Sequence, residues 1–279
     1  MTHHIAFLGE PGSYSDLACR RAVPDYAAVP CPSFEDVIAA VHEGKADLAM
    51  LPIENSIAGR VADVHYLLPN SGLSIVAEHY QPVVHHLLGL PGSKLEDIRI
   101  VHSHVQALGQ CRQWLRDHGI KSVVRSNTAL AAAELSQTIK DPTIGVIASE
   151  VAGEIYGLNS LAADIADRKN NTTRFLVLTK SCNVPQAYDS PCITTLLFRV
   201  RSVPAALYKA LGGFATNGVN ITKLESYLVD GQFTAAQFYV DVEGNPVDTS
   251  LKNALEELAF FAHEVKIMGT YPASPFRNT

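Results

Sequence analysis

The order of apolar patterns in the C-terminal third constrains the fold more than any other feature of this sequence. It predicts a strand at 193–200, a helix in which Leu207 and Phe214 recur on one face, two further strands, a second helix and a last strand. Asp230-Gly231 separates the two middle strands and is a strong hairpin signal. The sequence therefore predicts a ferredoxin-like βαββαβ domain at the C-terminal end.

The first 181 residues alternate short apolar runs with helical patterns, which is typical of an α/β fold. The polar segment 182–191 contains two prolines and is predicted to be a linker. A chain of 279 residues also exceeds what one small core needs. We therefore expect an α/β domain at 1–181 and the βαββαβ domain at 192–279.

Composition excludes several classes of function. The net charge of -6 and the lack of a lysine or arginine run argue against a nucleic acid or a membrane surface as partner. No apolar run reaches the roughly 18 residues of a membrane-spanning helix. The five cysteines form no Cys-x-x-Cys pair, and the first residues lack a basic and apolar leader. These features predict reduced thiols and a cytoplasmic location.

Polar clusters follow several predicted strands of the α/β region, where ligands bind in open α/β sheets. An arginine can hold a carboxylate with two hydrogen bonds, while amides and hydroxyls add neutral donors and acceptors. Such a set suits a small anionic substrate, although each cluster alone is also typical of turns and helix caps. The clusters are Gly9-Glu10-Pro11-Gly12-Ser13-Tyr14-Ser15, Glu54-Asn55-Ser56, Ser103-His104 with Gln106, and Asn170-Asn171-Thr172-Thr173-Arg174.

Metal and cofactor sites are not predicted. His102 and His104 are two residues apart and His85-His86 are adjacent, but neither pair has a third ligand at a usual zinc spacing. The Gly-rich turn near residue 9 matches neither nucleotide-binding motif, and no Gly-x-Ser-x-Gly elbow is present.

Taken in order, three groups of residues resemble the motifs of the prephenate dehydratase family: Pro52-Ile53-Glu54-Asn55-Ser56, Ser103-His104 with Gln106-Ala107, and Thr173-Arg174-Phe175. The C-terminal pattern resembles the ACT domain of bacterial members. The resemblance implies a catalytic domain of two lobes, similar to a periplasmic binding protein. One lobe would contain about 1–76 and 162–181, and the other about 77–161.

The resemblance also implies the conversion of prephenate to phenylpyruvate, water and carbon dioxide. Thr173 is then the leading catalytic residue, through a hydrogen bond to the departing hydroxyl, and Glu54 is the competing proton donor. Substrate binding would fall to Arg174, Asn55, Ser56, Ser15, Asn170, Asn171, Gln106 and Phe175. Arogenate dehydratase and a non-catalytic sensor of small acids remain open as alternatives.

In the ACT-like region the resemblance implies that L-phenylalanine binds as an effector, and that the chain forms a homodimer or homotetramer. The expected effector residues are Ala206, Leu207, Asn220, Ile221, Glu225 and Ser226. One departure affects this expectation, because Tyr227-Leu228 stands where the family has Arg-Pro.

Overall fold

The computed structural model describes residues 2–180, 190–200, 203–229 and 232–278. Its first sheet has the strand order β2-β1-β3-β11-β5, with the short β4 paired to β3. The strands are β1 (His3–Leu8), β2 (Tyr26–Cys31), β3 (Leu48–Asn55), β4 (Gly59–Arg60), β5 (Ser74–Pro82) and β11 (Thr172–Thr179). The helices of this part are α1 (Tyr14–Ala22), α2 (Phe34–His42) and α3 (Ala62–Leu67).

A second sheet follows, with the order β10-β6-β9-β7-β8. Its strands are β6 (His86–Gly89), β7 (Ile100–His104), β8 (Lys121–Arg125), β9 (Ile144–Ala148) and β10 (Asn159–Ala162). The helices are α4 (Val105–Gln110), α5 (Arg112–Asp117), α6 (Thr128–Glu134) and α7 (Glu150–Tyr156). The predicted α/β class is confirmed by these two mixed sheets and their helices.

The third sheet confirms the ferredoxin-like prediction. Its order is β13-β14-β12-β15, and all three strand pairs are antiparallel. The elements are β12 (Cys192–Val200), α8 (Ala206–Thr216), β13 (Ile221–Val229), β14 (Gln232–Glu243), α9 (Thr249–Phe261) and β15 (Ala262–Pro272). The expected turn at Asp230-Gly231 and most of the expected linker lie outside the described residues.

Several helix starts follow from the local sequence. Ser33, Asn127 and Ser149 each accept a hydrogen bond from a backbone N–H of the helix that they precede. The sequence predicts Ser15 as the cap of a helix that ends near Arg21, but in the structure Ser13 caps α1. The carboxylate of Asp16 accepts the N–H of Gly12 at 2.8 Å, so the two ends of this turn cap each other.

The sequence predicts a single helix from about residue 105 to residue 117, but the structure has two helices there. The break is at Cys111, between α4 and α5. The carboxylate of Asp167 accepts the N–H groups of Gln113 and Trp114 at 2.9 and 3.1 Å. A side chain more than fifty residues away along the chain therefore caps the second helix, which the local sequence could not indicate.

The chain divides into two compact units, and each unit is made of two separate stretches of sequence. The first unit contains the residues up to Leu67 and His79–Leu176, and the second contains Leu68–Glu78 and the chain from Val177 onward. The predicted domain boundaries stay a prediction, but residues 68–78 belong to the same unit as the ferredoxin-like sheet.

Within the second unit, three contacts bind the segment 68–78 to the C-terminal part of the chain. Glu78 accepts two hydrogen bonds from Arg277, at 2.6 and 2.8 Å, and its side chain is fully buried. Lys266 donates to the carbonyl oxygen of Pro69 at 2.7 Å. At Gly269 the backbone of β15 lies so close to Ile75 that a Cβ there would overlap the carbonyl oxygen of Ile75.

We therefore expect Gly269→Ala to destabilise the protein by about 1–3 kcal/mol, since the added methyl group forces the two backbones apart. Gly212→Ala is the matched control, because Gly212 lies inside α8 and a Cβ there meets nothing within 4 Å. That change should stabilise the protein by up to about 1 kcal/mol through the helix propensity of alanine. Urea unfolding of both variants measures the difference, and equal free energies of unfolding would contradict the close approach.

Candidate functional site

The predicted polar clusters after β3 and before β11 meet at neighbouring strands of the first sheet. The sequence predicts strands at 46–51 and 175–178. In the structure both strands extend into these clusters, so that Glu54 and Asn55 end β3 while Thr173 and Arg174 lie inside β11. Asn55 donates from Nδ2 to Oγ1 of Thr173 at 3.0 Å. The structure therefore brings together two of the predicted site residues that are 118 positions apart.

The orientation of the Asn55 amide follows from its backbone partners. Its Oδ1 accepts the N–H groups of Ile57 and Ala58, at 3.0 and 2.8 Å, and a backbone N–H can only donate. Nδ2 of Asn55 is therefore the donor toward Thr173. Because the Thr173 hydroxyl accepts this hydrogen bond, its own proton is available for donation to another group.

Four further polar groups continue this arrangement into an unbroken chain, which we call the amide network. Asn55 Nδ2 also donates to Oδ1 of Asn171 at 2.7 Å, and Nδ2 of Asn171 donates to Oε1 of Gln110 at 2.7 Å. Nε2 of His85 lies 2.7 Å from the same Oε1. The hydroxyl of Tyr14 lies 3.1 Å from the other ring nitrogen of His85.

Gln110, His85 and Tyr14 were not among the residues that the sequence analysis selected. Gln110 is the last residue of α4, His85 precedes β6 and Tyr14 is the first residue of α1. Their hydrogen bonds to one another and to Asn171 span 25 to 71 positions of sequence. Tyr14 belongs to the polar cluster at residues 9–15 and His85 was considered only as a metal ligand, so the sequence offered both side chains without indicating this role.

Ser56 holds the segment before β11 in place. Its hydroxyl donates to the carbonyl oxygen of Asn170 at 3.0 Å and accepts the N–H of Thr172 at 2.9 Å. Asn170 has a φ of 65°, in the left-handed region that asparagine tolerates better than most residues. These contacts explain the polar residues at both positions by backbone geometry, and the predicted substrate contacts of Ser56 and Asn170 stay a prediction.

Glu54 and Arg174 form an ion pair separate from the Asn55 and Thr173 contact. Nη1 of Arg174 lies 3.0 Å from Oε1 of Glu54, and Arg174 is 3% exposed while Glu54 is 31% exposed. Successive residues of a strand face opposite sides of the sheet, so that this pair and the Asn55–Thr173 pair point to different faces. Arg174 is thus bound to Glu54 in the structure, and its predicted contact with a substrate carboxylate remains untested.

The other predicted residues of this region lie apart from the amide network. Phe175 is 2% exposed and belongs to the core around β11. Ser15 is half-buried in the first turn of α1, and Gln106 is exposed on α4. Among the described residues, no hydrogen bond joins Ser15 or Gln106 to the network, whereas Gln110, one turn beyond Gln106, is a member of it.

The predicted effector residues lie in α8, in β13 and at Asn220, which directly precedes β13. Ala206 and Leu207 begin α8, and Leu207 packs against the same hydrophobic core as Ile221. Glu225 pairs with Tyr239 in the sheet register and Ser226 pairs with Phe238, so the two side chains face opposite sides of the sheet. The carbonyl oxygen of Asn220 accepts the N–H of Glu243. An effector could therefore contact Glu225 or Ser226 by side chain, but one molecule on one face could not contact both.

Burial favours the neutral forms of the titratable groups in and beside the amide network. Burial raises the pKa of the Tyr14 hydroxyl far above its ordinary value. Burial also lowers the pKa of His85, an effect that the hydrogen bond to Gln110 partly offsets. Burial raises the pKa of the nearby Cys111 thiol to about 12, which keeps this sulfur protonated and a poor nucleophile. The site can therefore orient hydrogen bonds but holds no strong acid among these groups.

Searches of the described residues for other kinds of site gave two further findings. No group of three histidine, cysteine, aspartate or glutamate side chains is arranged to hold a metal ion among those residues. Nor does any helix of the described parts of the chain have the length and apolar character needed to cross a membrane.

Comparison with known proteins identifies related chains. A family model described as prephenate dehydratase matches residues 5–183. A bifunctional N-acyl-homoserine lactone acylase/prephenate dehydratase from Komagataeibacter europaeus is 50% identical over 98% of this chain and 97% of its own length. An arogenate dehydratase/prephenate dehydratase from Arabidopsis thaliana is 41% identical over 96% of this chain and 71% of its own. The crystal structure of a prephenate dehydratase with L-Phe from Arthrobacter aurescens has a TM-score of 0.87 and 29% identity, covering 97% of this chain and 90% of that one.

Four buried or half-buried histidines should make the stability of the protein depend on pH. Burial lowers the pKa of His79, His85, His102 and His104. Below the ordinary histidine pKa of about 6.5 the unfolded chain therefore binds more protons than the folded chain, so the free energy of unfolding should fall as the pH drops from about 7.5 to about 5.5. Urea unfolding at a series of pH values measures this slope.

Substitution of His102 tests the predicted pH dependence most directly. It is 5% exposed, and its Nδ1 has no hydrogen-bond partner among the described residues. His102→Gln should reduce the pH dependence, whereas His263→Gln, at an exposed position of β15, serves as the control for loss of a histidine. A free energy of unfolding that stays constant over this pH range would contradict the prediction.

Proposed function

This chain belongs to the prephenate dehydratase family, and from that premise we propose that it converts prephenate to phenylpyruvate, water and carbon dioxide. The family supports a lyase reaction for this chain. The proposal includes a place in L-phenylalanine biosynthesis and in the cytoplasm.

The reaction needs stabilisation of negative charge on one atom, the oxygen of the departing hydroxyl group. Prephenate carries two carboxylates and a ring hydroxyl, and loss of carbon dioxide from the ring carbon supplies the electrons that expel the hydroxyl group. The ring then becomes aromatic, which makes the products strongly favoured. The departing oxygen acquires negative charge, so a hydrogen bond aimed at it lowers the barrier more than it stabilises the substrate.

The observation that carries the proposal is the hydrogen bond from Asn55 to Thr173. Since Thr173 Oγ1 accepts from Asn55, the threonine proton is free to point at the leaving hydroxyl. Threonine is too weak an acid to give up its proton fully, and the role proposed here is stabilisation of charge by a positioned donor. Asn171 and Gln110 support this role because they hold Asn55 in the orientation that it requires.

Glu54 is a less suitable proton donor than Thr173. The guanidinium of Arg174 lies against its carboxylate and stabilises the ionised form, which has no proton to give. Arg174 enters the proposal as the group that binds a substrate carboxylate. Because its guanidinium holds Glu54 on the face opposite Thr173, a substrate that contacts both would have to lie at the ends of the two strands, where its carboxylate would replace or share Glu54 as partner.

Two other substrates need to be tested beside prephenate. Arogenate differs by an amino group on the side chain, and the Arabidopsis relative is named for both substrates. Hydrolysis of N-acyl-homoserine lactones is the second candidate, favoured by the name of the relative that is 50% identical. Parallel assays for phenylpyruvate, phenylalanine and free homoserine lactone separate these activities, and binding of such acids without any product would favour the sensor alternative.

Regulation by L-phenylalanine is part of the proposal. The related Arthrobacter structure contains L-Phe. In this chain two of the expected effector residues, Leu207 and Ile221, pack against the same hydrophobic core. The homodimer or homotetramer expected for the family would give the effector an interface to act on.

We expect Thr173→Val to lower kcat by about 100-fold to 1,000-fold while KM changes little, since the hydrogen bond to the leaving group forms fully only in the transition state. Phenylpyruvate formation measures both constants. Thr138→Val makes the same chemical change at an exposed position and should leave both constants as they are. A Thr173→Val variant with normal kcat would remove Thr173 from the mechanism and return Glu54 to consideration.

We also expect L-phenylalanine to lower the rate in a way that excess prephenate does not fully reverse, because the effector binds away from the amide network. D-phenylalanine is the matched control and should have a much weaker effect. Steady-state rates at several concentrations of both ligands, together with calorimetric binding, provide the measurement. Purely competitive inhibition would place the ligand in the substrate site instead.

A further inference from the structure

We propose that His85 and Tyr14 are positioning residues for the Thr173 hydroxyl, and that they hold the amide network in the orientation that the backbone sets at Asn55. This inference rests on the proposed function for its catalytic consequence. The arrangement of hydrogen atoms on which it depends can be derived, and measured, without reference to any reaction.

Backbone donors set the polarity of the amide network at Asn55. Ile57 and Ala58 donate to Oδ1 of Asn55, so Nδ2 of Asn55 must be a donor. The atom of Asn171 that receives this bond at 2.7 Å must then be its carbonyl oxygen. The Nδ2 of Asn171 is consequently a donor as well. The amide orientation at each step is fixed by the step before it.

The oxygen of Gln110 determines which ring nitrogen of His85 carries the hydrogen. Oε1 of Gln110 accepts from Asn171 at 2.7 Å, so it is an oxygen and can only accept. Nε2 of His85 lies 2.7 Å from this same oxygen and must therefore carry a hydrogen. In the neutral ring Nδ1 is then an acceptor, and the hydroxyl of Tyr14 lies 3.1 Å from it.

Tyr14 ties this end of the network to the backbone. Its hydroxyl donates to the carbonyl oxygen of Val84 at 2.6 Å, and the hydroxyl oxygen lies 3.1 Å from Nδ1 of His85. His85 is 2% exposed, and its own carbonyl oxygen accepts the N–H of Ile165 at 3.1 Å. Both ends of the network are thus anchored to the main chain, with Asn55 at one end and Tyr14 at the other.

Loss of the His85 donor would release the middle of the network. Without an N–H at this position, the Gln110 amide can rotate and present its NH₂ group to Asn171. Asn171 would then have to turn its oxygen toward Gln110 and its own NH₂ group toward Asn55, where two donors would face each other. Asn55 would lose its alignment, and the Thr173 hydroxyl would no longer be held with its proton directed outward.

The first test measures the tautomer directly. Two-bond ¹H–¹⁵N spectra of the full-length protein, labelled with ¹⁵N-histidine, distinguish a hydrogen on Nε2 from one on Nδ1, and the His85→Gln spectrum identifies the signal. We expect His85 to carry its hydrogen on Nε2 at about pH 7.5, where a neutral histidine prevails. In Tyr14→Phe the population should shift toward a mixture of the two tautomers. A hydrogen on Nδ1 in the wild-type protein would overturn the inference.

The second test separates a positioning role from a structural one. His85→Leu should lower kcat about tenfold, the value of one well-placed hydrogen bond, while KM changes less than about twofold. His85→Gln restores a donor near the position of Nε2 and should recover most of the lost rate. Wild-type kcat in His85→Leu, or equal losses in the two variants at equal stability, would overturn the inference. If His85→Leu fails to fold, the comparison of His85→Gln and Tyr14→Phe with wild type decides in its place.

A failure of the proposed function gives a different result. Wild-type protein without any turnover of prephenate would contradict the proposed reaction, yet the tautomer of His85 would still be readable. An active wild-type enzyme with His85 protonated on Nδ1 would contradict the positioning role alone.

Discussion

The two hydrogen bonds from the backbone of Ile57 and Ala58 to Asn55 determine the rest of the site. They form because β3 continues through Asn55 and turns into β4, which brings these N–H groups under the amide oxygen. A backbone donor cannot reverse its polarity, whereas an amide side chain can. The turn therefore converts a residue with two equivalent orientations into one with a single orientation, and each later group inherits that choice.

The amide network also explains how a site without a strong acid could act. Buried neutral groups with full sets of partners cost much less to desolvate than unpaired charges. The charged pair of Glu54 and Arg174 is directed to the other face of the same two strands. This separation keeps a carboxylate away from Thr173, where it would compete for the threonine proton or attract it in the wrong direction.

Sequence reasoning recovered the parts of this structure that local patterns determine. The βαββαβ order, the α/β class and the caps at Ser33 and Asn127 all follow from neighbouring residues. Local patterns failed where a distant partner decides the outcome, as when Asp167 caps α5 or when Gln110 and His85 meet Asn171. The extent of β11 was also underestimated, and with it the alternation that turns Arg174 away from Thr173. The pairing of Asn55 with Thr173 lay within the predicted set, but its direction depends on hydrogen bonds that no spacing in the sequence indicates.

The contacts of segment 68–78 have a consequence for how this chain could evolve or be recombined. Glu78 is fully buried against Arg277, and Ile75 requires glycine at position 269. The two members of each pair lie far apart in sequence, one in the segment 68–78 and the other near the C-terminal end. The C-terminal portion is therefore not an independent domain that could be exchanged by a cut after the linker. A foreign ferredoxin-like domain fused at that point would need its own arginine and its own glycine at matching positions, or it would bury a carboxylate without a counter-charge and collide with a strand. Recombination within such proteins should preserve these two pairs together or lose both.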